Sequence, residues 1–308
     1  MSHCTANKKA ASAFVRRNSI PTTGAVAKAL FNSAIGIDVH HDILVCAYQH
    51  CNRESDEITT EVCSFGTTAS ELAKFTDWCR NHHPEQILME STGVLWFSPY
   101  EALESVGFTN RQLSLINARD FKAIVGRKSD KQDAERLALY ARIGNVRSSF
   151  VPAKCFREMR AVSRLLSKTT DEQSRARSRY LKTLNFIGCR ASSVFSDVRG
   201  KAATAILEVL AEGTREQLID AIKIHGRRLR KSAAEILDAL DFAVSPAMAM
   251  QLRIQKQHME ALSQTCEELY ALLKVMQANY QPWINRLMTV PGIKERAARV
   301  IFAEVTND

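Results

Sequence analysis

The chain has 308 residues, 45% of them hydrophobic and 24% charged. This balance is ordinary for a globular protein and excludes a wholly disordered chain, a collagen-like repeat and a small disulfide scaffold. Lys and Arg number 42 against 33 Asp and Glu, a net charge of +9 that points to an anionic partner such as nucleic acid.

Residues 1–33 form a basic tail, and the first acid of the chain is Asp38. The tail superficially resembles a transit peptide, but a flexible nucleic-acid-binding arm or an over-extended start fits the rest of the chain better. Short strands are predicted at 34–39, 43–48 and 58–65, the first two joined as a hairpin around His41-Asp42. A helix follows over 68–81, with Leu72, Phe75, Trp78 and Cys79 on one face. Gln86–Met89 is an apolar strand ending at Glu90. A helix over 97–106 and a strand over 111–116 come next. This order implies an α/β domain with a mixed sheet and packed helices.

Ser129 with Gln132 three residues on is a capping-box pattern, so a helix should start there. After Pro152 the strand signals stop. Residues 153–280 show helical spacing, clearest over 254–276 with Met259, Leu262, Cys266, Leu269 and Leu273, and predict a helical bundle or coiled-coil arm. The eight cysteines contain no C-x-x-C pair and no zinc spacing, so most are predicted to be small core residues. No uninterrupted apolar stretch is long enough to span a bilayer.

Charge is segregated along the chain. Residues 38–110 hold twelve acids and three bases, 111–147 hold nine bases and four acids, and 153–190 hold ten bases and three acids. Within this pattern four acids stand out. Asp38 sits inside the apolar run Ile35-Gly36-Ile37-Asp38-Val39, and Glu90 closes Ile87-Leu88-Met89-Glu90. A charge in a buried strand is costly unless it is paired, hydrogen-bonded or bound to metal. If the two strands are parallel neighbours, both acids meet at their carboxyl ends. Asp130 and Asp133 are i and i+3 on the helix that starts after Ser129. Ala134, Leu137, Ala138 and Ala141 continue their face toward the sheet. Each acid alone also fits a plain role, as a helix N-terminal or strand-end residue. Together, four carboxylates facing one pocket repel unless divalent cations neutralise them. Mg²⁺ or Mn²⁺ suits such an oxygen-rich site.

The segments Gly36-Ile37-Asp38-Val39-His40, Met89-Glu90-Ser91-Thr92-Gly93-Val94-Leu95-Trp96, Asn117-Ala118-Arg119-Asp120 and Gly126-Arg127-Lys128-Ser129-Asp130-Lys131-Gln132-Asp133-Ala134 resemble the DEDD transposases of bacterial insertion sequences. Phe150-Val151-Pro152 and Leu287-Met288-Thr289-Val290-Pro291-Gly292-Ile293 extend the likeness. The resemblance implies an RNase H-like (RuvC-like) domain over 34–152, with Asp38, Glu90, Asp130 and Asp133 as catalytic, Mg²⁺- or Mn²⁺-binding acids. It implies a coiled-coil region over 153–280 and the start of a C-terminal transposase domain over 281–308. Arg119, Lys122, Arg127, Lys128 and Lys131 are candidates for nucleic-acid contact, with Gly292 and Lys294 of a helix-hairpin-helix-like turn. Lys294 stands where the family usually carries a second glycine.

The implied protein works on DNA in bacterial cytoplasm, at the nucleoid, as a multimer associating through the helical region. In the family a structured RNA guides it, and a C-terminal serine attaches covalently to DNA. No residue here matches that serine, so a C-terminally truncated copy with doubtful strand-transfer activity is the expectation. The alternatives are a stand-alone Mg²⁺-dependent junction nuclease and a non-enzymatic nucleic-acid-binding fragment.

Overall fold

The computed structural model describes residues 14–17, 29–91, 93–117, 129–144, 147–195, 200–226, 229, 231–240 and 244–305. The chain divides into two compact units, Met1–Val151 and Pro152–Asp308.

The first unit is built on one six-stranded sheet. Its strands are β1 (Phe14–Arg17), β2 (Ser33–Val39), β3 (Ile43–Cys51), β4 (Ile58–Gly66), β5 (Gln86–Ser91) and β6 (Leu113–Asn117). Their spatial order is β1-β4-β3-β2-β5-β6. Strands β1 to β4 pair antiparallel, while β2–β5 and β5–β6 pair parallel. This is the mixed sheet with packed helices that the sequence predicts. Strand β1 falls in the segment expected to be a flexible tail. It pairs with β4, whose open edge would otherwise present unpaired backbone groups.

Among the described residues, three helices complete this unit: α1 (Ala69–His82), α2 (Phe97–Ser105) and α3 (Asp130–Ile143). The two faces of the sheet follow the alternation of β2. Ile35, Ile37 and Val39 face a core shared with Phe75 and Cys79 of α1 and Tyr100 and Leu103 of α2. Ala34 faces the other way, onto Leu137 and Ala141 of α3. Val45 and Ala47 of β3 meet Ala134 and Ala138 on that same side. Trp96, the last residue of the quoted transposase-like segment around Glu90, stacks on Phe97 at 4.1 Å and packs into the core.

The second unit is helical. A 33-residue helix, α4 (Lys154–Phe186), is followed by α5 (Ala191–Val194), α6 (Lys201–Glu212), α7 (Arg215–His225) and α8 (Ala233–Leu240). Then come α9 (Pro246–Met276), α10 (Gln281–Met288) and α11 (Glu295–Val305). Gln255 bonds Thr183 at 3.1 Å, and Thr170 meets Cys266 at 3.9 Å, so α4 and α9 run antiparallel. The long pair is the expected helical arm. One core joins α6, α7 and α8 to Tyr180, Leu184 and Leu252. Another joins Ile284, Ala298 and Phe302 to Phe156, Leu166 and Leu273. Residues from 281 onward therefore share a core with the helical arm, and the compact unit runs across the boundary expected there. Among the described residues, no helix is long and apolar enough to cross a membrane.

Candidate functional site

The site grows out of a close approach of α3 to β2. A Cβ on Gly36 would stand 2.2 Å from Ala134 O and 2.2 Å from Ala138 N, two atoms of consecutive α3 turns. Only a glycine lets the helix backbone settle that near the strand. Ala134, Leu137, Ala138 and Ala141 are each at most 3% exposed, so the small-residue stripe of α3 lies flat on the sheet. Ser129 caps the helix, its side chain accepting from Gln132 N at 3.4 Å. This fixes where the first turn begins, and the first turn carries Asp130 and Asp133.

Asp38 lies two residues beyond Gly36 on the same face of β2. In the parallel register Ile37 pairs with Met89, which sets Glu90 level with Asp38 on the neighbouring strand. Glu90 pairs with Ile116, a residue that packs on α3, so Glu90 belongs to that face as well. Asp38, Glu90 and Asp133 are buried, whereas Asp130 is exposed. All four acids predicted from the sequence thus share the face of the sheet that carries α3.

Within this group one cluster is tight. Nε2 of His40 shares a hydrogen bond with Oδ2 of Asp38 at 3.0 Å and lies 3.8 Å from Oδ1 of Asp130. Donor atoms of Asp38, His40 and Asp130 all fall within 4.8 Å of one another. Glu90 and Asp133 stand outside this group of three. Oδ1 of Asp133 is buried and accepts no hydrogen bond, and its counter-charge is the Arg136 guanidinium at 3.5 Å. Burial pushes the Asp38 carboxyl above the usual Asp range. His40 counters that shift, and the nearby Asp133 and Asp130 add to it.

His40 is the residue that sequence reasoning missed. The signal was present: two residues after Asp38, at a strand end, the alternation of an extended chain returns the side chain to the same face. The candidates Arg119, Lys122, Arg127 and Lys128, with Thr92 of the quoted motif, lie outside the described residues. Lys131 is exposed on the first turn of α3. In the second unit, Gly292 has a φ of 89° in the turn between α10 and α11, and Lys294 is exposed beside it. That helix–turn–helix is braced by Arg299, which is buried and donates to Gln277, Gln281 and Glu295.

The sequence model of the IS110-type DEDD transposase family, described as Transposase, matches residues 35–188, half of the chain. No curated protein matches the chain. Among solved structures, RuvC of Thermus thermophilus is similar over 38% of this chain and 99% of its own, at 15% identity and a TM-score of 0.26.

Proposed function

The chain belongs to the DEDD transposase family, and from that membership we propose that it cleaves and exchanges DNA strands in transposition, using divalent cations held by Asp38, Glu90, Asp130 and Asp133. One observation carries this reading: two strand ends and one helix N-terminus direct four carboxylates to the same face, around Asp38.

The donor set fits a hard divalent cation such as Mg²⁺ or Mn²⁺, being made almost wholly of carboxylate oxygens. Oδ1 of Asp133 is buried, accepts no hydrogen bond and has only the Arg136 guanidinium at 3.5 Å as counter-charge, so it is an oxygen that a divalent ion would also satisfy. When bound, such ions polarise the scissile phosphodiester and stabilise its attacking and leaving oxygens. Asp38 and Glu90 sit on strands, which hold their carboxylates in place at little further entropic cost. Asp130 is exposed, so a substrate phosphate could reach it. The bases Arg119, Lys122, Arg127, Lys128 and Lys131 precede or open α3 in the sequence and are the candidates for holding DNA phosphates.

We extend the reading to a structured RNA partner and to self-association through α4 and α9. Family membership and the surplus of seven positive charges over 153–190 support it. The test is cleavage of branched and linear DNA by the purified chain with Mg²⁺ or Mn²⁺. Cleavage should fall on the order of a hundredfold or more in Asp38→Ala and in Glu90→Ala, with DNA binding retained. DNA binding without cleavage under either ion would leave a non-enzymatic nucleic-acid-binding protein.

A further inference from the structure

We infer that His40 is a metal ligand, and that it biases the subsite it forms with Asp38 and Asp130 toward a transition-metal cation such as Mn²⁺ over Mg²⁺. The inference rests on the metal-dependent reading above and adds to it a residue and a selectivity.

The geometry points there first. Nε2 of His40 is the ring atom turned to both acids, 3.0 Å from one carboxylate oxygen and 3.8 Å from the other. Oxygen and nitrogen donors around one divalent ion at about 2.1 Å stand roughly 3 Å apart when adjacent and about 4.2 Å when opposite. Donor atoms that already lie within 4.8 Å of one another need little movement to share an ion.

The chemistry follows. Imidazole nitrogen suits transition-metal ions, whereas Mg²⁺ is held by oxygens and keeps much of its water. A subsite of two carboxylates and one imidazole therefore discriminates in a way that four carboxylates do not. The ring is 40% exposed at a strand end, so a cation can reach it and its removal opens no cavity in the core.

The experiment measures binding rather than turnover. Mn²⁺ and Mg²⁺ are titrated calorimetrically into the full metal-free chain, its His40→Ala and His40→Gln variants, and Asp38→Ala. Mn²⁺ binding is also followed by its paramagnetic resonance. The wild type should bind Mn²⁺ more tightly than Mg²⁺. Both His40 variants should lose about tenfold or more in Mn²⁺ affinity and change Mg²⁺ affinity by less than about threefold. Equal losses for both ions would make His40 a mere positioner of Asp38 and overturn the inference, as would no change in either. The metal-dependent reading would survive both results. A wild type that binds neither ion, like Asp38→Ala, would overturn that reading and the inference with it.

Discussion

Asp38 is a carboxylate held where a carboxylate is least comfortable. It is 6% exposed, and burial raises its pKa. His40 opposes that shift, but the neighbouring acids reinforce it. A raised folded-state pKa means the folded chain binds this proton more tightly than the unfolded chain. The stability linked to Asp38 is therefore present at low pH, below the unfolded value of about 3.9, and is lost as pH rises through the higher folded value. Asp38→Asn mimics the protonated form. Without metal it should melt at a higher temperature than the wild type at neutral pH, and the difference should vanish below about pH 4. Melting curves across pH in a chelator check this. Saturating Mn²⁺ should reverse the order, because only the wild type gains from the ion. The acids themselves were legible because a charge inside an apolar strand needs a reason. His40 was not singled out because a histidine at a strand end has many ordinary uses, and its partner Asp130 comes from a helix ninety residues later.

At the scale of elements, the contact between β2 and α3 decides whether a site exists at all. Gly36 faces backbone atoms of the helix, which cannot rotate away as a flexible side chain can. Gly36→Ala should therefore cost about 1–3 kcal/mol or more, measured by urea unfolding, because the added methyl must push the helix outward. The same displacement carries Asp130 and Asp133 away from Asp38. Cation affinity should fall with stability, although no ligand is changed. The start of α3 was legible in Ser129 and in the alanine-rich stripe, since capping and periodicity are local signals. The other strands and helices described in the first unit were legible for the same reason, whereas β1 was not, its four residues lying in a stretch read as a basic tail. The short helices α5 to α8 were not, because runs of 4 to 12 residues are too brief for a stripe to stand out. Their apolar residues make one core only in combination with Tyr180, Leu184 and Leu252 of the long helices.

For the whole molecule, charge says more than its net value. The acidic stretch 38–110 contains Asp38 and Glu90, while 111–147 and 153–190 carry surpluses of five and seven positive charges. Strand patterning ends at Pro152 in the sequence, and the compact units are Met1–Val151 and Pro152–Asp308. The expected boundary at 281 was drawn from motif resemblance. On either side of it, Ile284, Ala298 and Phe302 bury their apolar faces beside Phe156 and Leu273. If the basic stretches hold phosphate, DNA binding should weaken linearly in log Kd against log salt, since each neutralised phosphate releases counterions. Replacing Arg127 and Lys128 together by Ala should lower that slope by about two and weaken binding to all sequences alike, whereas Asp38→Ala should leave the slope unchanged. Fluorescence anisotropy of a labelled duplex over a salt series measures both. A slope that does not respond to the double substitution would move phosphate recognition away from this stretch and toward the basic surplus of 153–190, where charge reversals on α4 would then carry the salt dependence.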